Sequence, residues 1–126
     1  MWTWWFIARD DEAARMPDEE EGDRPGVSFD ADESELAALG AAIGATYEAV
    51  PVFEIDATRS IVRVRDAFVR KLAEVSDAAS GVSMWQAKSD SIRIREAPSL
   101  VATLTEMRDF AVEAANGPGI LAYRET

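Results

Sequence analysis

Apolar and polar residues alternate in two short stretches of this chain that end alike. Val62-Arg63-Val64-Arg65-Asp66-Ala67 and Ile92-Arg93-Ile94-Arg95-Glu96-Ala97 each set β-branched residues against arginines, then close on an acid and an alanine. Alternation with a period of two in β-branched residues predicts half-buried strands. Each stretch then runs into helical spacing. Phe68, Val69, Leu72, Val75 and Ala79 align with Leu100, Val101, Leu104, Met107 and Ala111 once Pro98 and Ser99 are inserted. Asp66 with Arg70, and Arg70 with Glu74, support the first helix by i,i+4 pairing. Residues 60–79 can also be written as one long helix with Ile61, Val64, Phe68, Leu72 and Val75 on a face. The β-branched run, and Pro98 at the first turn of the second helix, favour strand followed by helix. Val82–Ala87 supplies a partner strand for the second copy, turning at Lys88-Ser89-Asp90. The expectation is therefore two hairpin–helix (ββα) units, related by duplication or by convergence of half-exposed strands.

The rest of the pattern fills in around these units. Trp2–Ala8 predicts a strand, with Trp2, Trp4 and Phe6 on one face and Thr3, Trp5 and Ile7 on the other. A strand apolar on both faces is expected to be covered on both. The alternative is an exposed aromatic platform for stacking or partner binding. Asp10–Arg15 reads as a short helical turn, and residues 16–26, with two prolines, two glycines and a run of acids, as a mobile acidic surface loop. Val27–Phe29 adds a short strand. Asp32 and Glu35 have capping-box spacing before a helix carrying Leu36, Leu39, Ile43 and Tyr47, which must stop before Pro51. Gly40 and Gly44 within it point to close backbone approach. Val50–Asp56 and Ile120–Arg124 read as further strands, and Asn116-Gly117-Pro118 stops the last helix. The fold class is α+β: one domain over residues 1–126, an antiparallel or mixed sheet of about five to seven strands with three helices.

Charge changes the picture more than composition does. The chain of 126 residues carries a net −11, and residues 1–35 alone hold twelve acids and three arginines. That asymmetry disfavours a nucleic-acid backbone as partner and suits a basic protein partner. Cysteine and histidine are absent, which removes thiolate chemistry, the commonest general base and the commonest metal ligand. Trp2–Ala8 lacks a basic flank and is too short to span a bilayer, so no membrane role and a cytoplasmic location are expected. The excess of arginine over lysine and the frequent alanine suit a GC-rich bacterial source.

Candidate chemistry is sparse. Glu54 and Asp56 share a strand face but are indistinguishable from ordinary partners of arginine. Asp30, Asp32 and Ser34 start like a calcium loop, yet Glu35 stands where glycine is needed and Ala41 where glutamate is needed. No phosphate-binding glycine loop or nucleophile elbow occurs, so no cofactor or metal is expected, and an enzyme is left only as an alternative, with a carboxylate–arginine site on the sheet. With Val62, Val64, Ile92 and Ile94 in the core, Arg63, Arg65, Arg93 and Arg95 would stand together on the other sheet face. There they would form salt bridges to Glu54, Asp56 or Glu96, or bind an anionic small molecule around Tyr47, Tyr123 or Trp85. The leading expectation is a small acidic binding protein. Its physical type is that of a bacterial immunity protein or antitoxin-like inhibitor neutralising a basic toxin domain. Asp10, Asp11, Glu12, Asp18, Glu19, Glu20, Glu21 and Asp23 would carry the contact. A subunit of a homo-oligomer is a third possibility.

Overall fold

The computed structural model describes residues 2–19 and 24–125. Five strands form one antiparallel sheet: β1 (Trp2–Ile7), β2 (Gly26–Asp30), β3 (Ala49–Glu54), β4 (Arg59–Val64) and β5 (Ile120–Glu125). Their order across the sheet is β2-β1-β5-β4-β3. Between them run α1 (Glu33–Ile43), α2 (Asp66–Ala73), α3 (Ala78–Lys88), the single turn α4 (Asp90–Arg93) and α5 (Ala97–Ala115), and a 3₁₀ helix occupies Asp10–Asp18. The class is α+β, as the patterning implies. No described helix is long and apolar enough to cross a membrane.

The helices pack on one sheet face and make the main core there. Trp5, Phe68, Trp85, Leu100, Leu104 and Met107 are fully buried in it. Trp5 meets Phe29 edge-on, ring centroids 4.7 Å apart, and Phe68 at 6.3 Å. Tyr47 lies beside Phe68, and its burial pushes the phenol pKa up. Local signals set the helix ends. Asp32 accepts the Glu35 N–H at 2.8 Å, and Glu35 Oε1 accepts the Asp32 N–H at 3.0 Å, completing the capping box. Gly44 ends α1 at φ 86°, so Tyr47 lies beyond the helix rather than inside it. Gly40 is needed for a different reason: a Cβ there would sit 2.5 Å from the Ala45 carbonyl oxygen.

The second hairpin–helix unit is not formed. Residues 82–87 lie inside α3, and Ser91–Arg95 is a helical turn and its exit, not a strand. The physical reason is capping. Asp77 accepts the Ser80 N–H and Ser89 accepts the Ile92 N–H, so a helix start precedes each stretch. Burial confirms the period. Ile92 is fully buried and Ile94 is 86% exposed, whereas Val62 and Val64 in β4 are both buried. The first helix also ends early, at Ala73, and Ser80-Gly81 lies within α3 instead of stopping it. Gly81 brings α3 against α5, where a Cβ would meet Leu104 at 2.9 Å. The helical elements among the described residues thus number six, against three expected.

Glu35, although a carboxylate, is buried and tied in. It accepts the Ser91 hydroxyl at 2.9 Å, while its carbonyl accepts Trp85 Nε1–H at 2.8 Å, fastening α1 to α3 and α4.

Candidate functional site

The sheet face away from the main helical core is only partly covered. Strand register places its side chains in rows. Ser28, Trp4, Tyr123, Ile61 and Phe53 form one row across all five strands. Gly26, Phe6, Leu121, Arg63 and Val50 form the next. The 3₁₀ helix lies over part of this face, and Ala13 and Met16 pack there with Ala8, Ile61 and Leu121. What stays open is a groove of about 610 Å³ lined by Trp4, Phe6, Met16, Pro17, Ile61 and Tyr123. Trp2 and Trp4 are 61% and 43% exposed. The expectation that β1 is covered on both faces is therefore corrected: Trp5 is core and Phe6 is partly covered, but Trp2 and Trp4 are exposed. The cause is the short reach of the 3₁₀ helix, which covers one end of the face and leaves the other bare.

Two arginines hold the covering segment. Arg63 donates from Nε to Asp10 Oδ1 at 2.8 Å, from Nη1 to the Pro118 carbonyl at 3.1 Å and from Nη2 to the Ala8 carbonyl at 2.7 Å. Arg24 donates to Glu12 at 2.7 Å and to both oxygens of Glu19, at 2.5 and 2.9 Å. Glu12 is held down to a pKa of about 2, first by the Arg9 backbone N–H and then by Arg24. Glu19 is lowered chiefly by its Arg24 hydrogen bonds. At the β3–β4 turn, Asp56 is likewise held to about 2, first by Arg59 and then by the Thr58 N–H.

The expected site residues are distributed as follows. Asp10, Glu12 and Glu19 are engaged in these internal ion pairs. Asp11 is exposed, 3.4 Å from Arg9, and Asp18 is exposed with no ion pair among the described residues. Glu20, Glu21 and Asp23 lie outside the described residues. Met16–Asp18 belongs to the 3₁₀ helix, not to a loop.

The four arginines do not gather. Arg63 stands on the partly covered sheet face, and Arg65 is the N-cap residue of α2, 3.6 Å from Glu48. Arg93 pairs with Asp90, and Arg95 donates to the Asp30 carbonyl at the far sheet edge. Their separation follows from the helical state of residues 90–93. Arg63 and Arg65, with Arg70 and Lys71, line a hollow of about 830 Å³, but Glu48, Asp66 and Glu74 line it too, leaving little positive excess for an anion. Glu54, Asp56 and Glu96 form no salt bridge with Arg63, Arg65, Arg93 or Arg95; Asp56 pairs with Arg59 instead. No group of three or more potential metal ligands occurs among the described residues.

The sequence offered the aromatic face of β1 only as the alternative to core packing, and the extension of that row to Tyr123 and Ile61 was missed although its signal was available. Ile61 shares the phase of Arg63, opposite Val62 and Val64, so alternation alone places an apolar residue on the arginine face. Comparison with known proteins finds no match: no family model, no curated protein and no solved structure is similar to the chain.

Proposed function

We propose that the chain is a small acidic binding protein that captures a basic protein partner, in the manner of a bacterial immunity protein or antitoxin. The observation that carries this reading is the exposed Trp4, with Trp2 beside it on the strand and the half-buried Tyr123 next to it in the same row, at the mouth of an apolar groove that the acid-rich segment's Met16 and Pro17 also line. Tryptophan and tyrosine dominate the energetics of protein contacts because they bury much area at little rotamer cost. Their faces also attract arginine and lysine side chains through cation–π contact. Asp11, Asp18 and the acids that follow supply the long-range field that steers a basic partner in, and the apolar row supplies the short-range hold.

The test is affinity capture from the cells that make the protein, with wild type, Trp4→Ser and the Asp11→Ser/Asp18→Ser double variant as baits. The reading expects a basic protein on the wild type, at low salt more than high, and its loss on Trp4→Ser. With that partner purified, the double variant associates more slowly and with a flatter salt dependence. A captured partner that is acidic, or one indifferent to Trp4, contradicts the reading.

A further inference from the structure

Resting on the proposed function, we infer that the partner enters as an extended, basic segment that adds to the outer edge of β2. The two sheet edges are built differently. The β3 edge carries Pro51 and a register shift between Pro51 and Phe53, devices that blunt an edge against further pairing. β2, Gly-Val-Ser-Phe-Asp, holds no proline, no lysine and no bulge.

Its outward groups can be identified. The Ile7 N–H bonds to the Pro25 carbonyl, which fixes residues 7 and 25 as a hydrogen-bonded pair. In an antiparallel ladder such pairs alternate. Val27 and Phe29 therefore bond to β1, and the backbone groups of Gly26, Ser28 and Asp30 point outward. The Asp30 carbonyl already accepts a guanidinium hydrogen bond from Arg95. No hydrogen bond from any described residue reaches the outward N–H or C=O of Gly26 or Ser28. An unpaired strand edge is a template for strand addition.

Charge selects the occupant. A second copy would bring −11 against −11. Close to this edge Glu19 is paired with Arg24 and the Arg95 guanidinium sits on the Asp30 carbonyl, so the preference for a basic strand comes from the net −11 of the chain as a whole. An added strand rich in lysine or arginine relieves that field. Its side chains on the open face would lie beside Ser28, next to Trp4 in the same row. Strands are about 4.8 Å apart, so a long cationic side chain reaches across the small serine to the indole.

The probe is a blocked heptapeptide alternating lysine and valine, compared with its glutamate–valine counterpart and with a version N-methylated at alternate residues. Binding is read by amide hydrogen exchange on the full chain. The inference expects at least about tenfold slower exchange at Ser28 and Gly26 with the lysine peptide, and none with the other two. Ser28→Pro removes an outward N–H and no bond to β1, so the variant should still fold, and the protection read at Gly26 should be lost. Three results overturn strand addition: binding unaffected by Ser28→Pro, no binding at all, or a doubled mass in sedimentation that Ser28→Pro abolishes, which would make a second copy the occupant. None of these touches the open-face reading, whose own test is Trp4→Ser.

Discussion

Three residues test the account of why the chain folds as it does. Gly40→Ala should gain helix propensity, by roughly 1 kcal/mol. Its new Cβ, however, would press against the Ala45 carbonyl and the Tyr47 N–H, both backbone. Backbone cannot swing aside, so the clash wins and the variant loses about 1–3 kcal/mol in denaturant unfolding. Trp85→Phe deletes the buried donor to the Glu35 carbonyl and should cost about 1–2 kcal/mol. Arg24 sets an acid response. Glu12 and Glu19 titrate below their ordinary 4.5 in the folded chain, so folding favours their charged forms. The resulting stabilisation is full above about pH 4.5 and is lost as pH falls toward 2. Arg24→Met should lower the melting temperature by a few degrees at neutral pH, and the gap to wild type should close across that acid window. A gap that persists at pH 2 would show that Arg24 acts by packing alone.

At the level of elements, the two similar hexapeptides are the instructive case. Val-Arg-Val-Arg-Asp-Ala forms the end of β4 and the start of α2, while Ile-Arg-Ile-Arg-Glu-Ala forms a helical turn and its exit. Local alternation is equally good in both. What differs lies outside the hexapeptides. Residues 59–64 have a strand on each side, β3 and β5, to complete their ladders. Residues 90–95 follow Ser89, whose hydroxyl caps a helix, and no described strand pairs with their backbone; only the Arg95 side chain reaches the β2 edge. Propensity for strand is largely propensity for a neighbour, and neighbours are not visible in a short window. By contrast, β1, α1 with its Asp32–Glu35 box, β3, β5 and the proline-started α5 were legible, because their signals are local. The difference is measurable. Ile92→Ala should cost about 2–5 kcal/mol and Ile94→Ala no more than about 0.5. Equal costs would restore the strand.

For the whole molecule, the legible feature was charge asymmetry, and the hidden one was which sheet face stays open. Helical cover is decided by five helices that all pack on one side. The 3₁₀ helix, clamped by Arg63 and Arg24, covers only part of the other. The same clamps use up Asp10, Glu12 and Glu19, so the acidic surface expected from sequence is smaller than the count of acids suggests. Asp11 and Asp18 remain exposed on the covering segment, and Trp2 and Trp4 remain exposed on the sheet face. The most direct measurement is the dissociation rate of the captured basic partner from wild type and from Trp4→Ser, with both melting temperatures in hand. The account predicts release at least about tenfold faster from the variant, about 1.4 kcal/mol of contact, at a temperature where both proteins are fully folded. Equal release rates there would contradict it, and the open face would then not be where the partner binds.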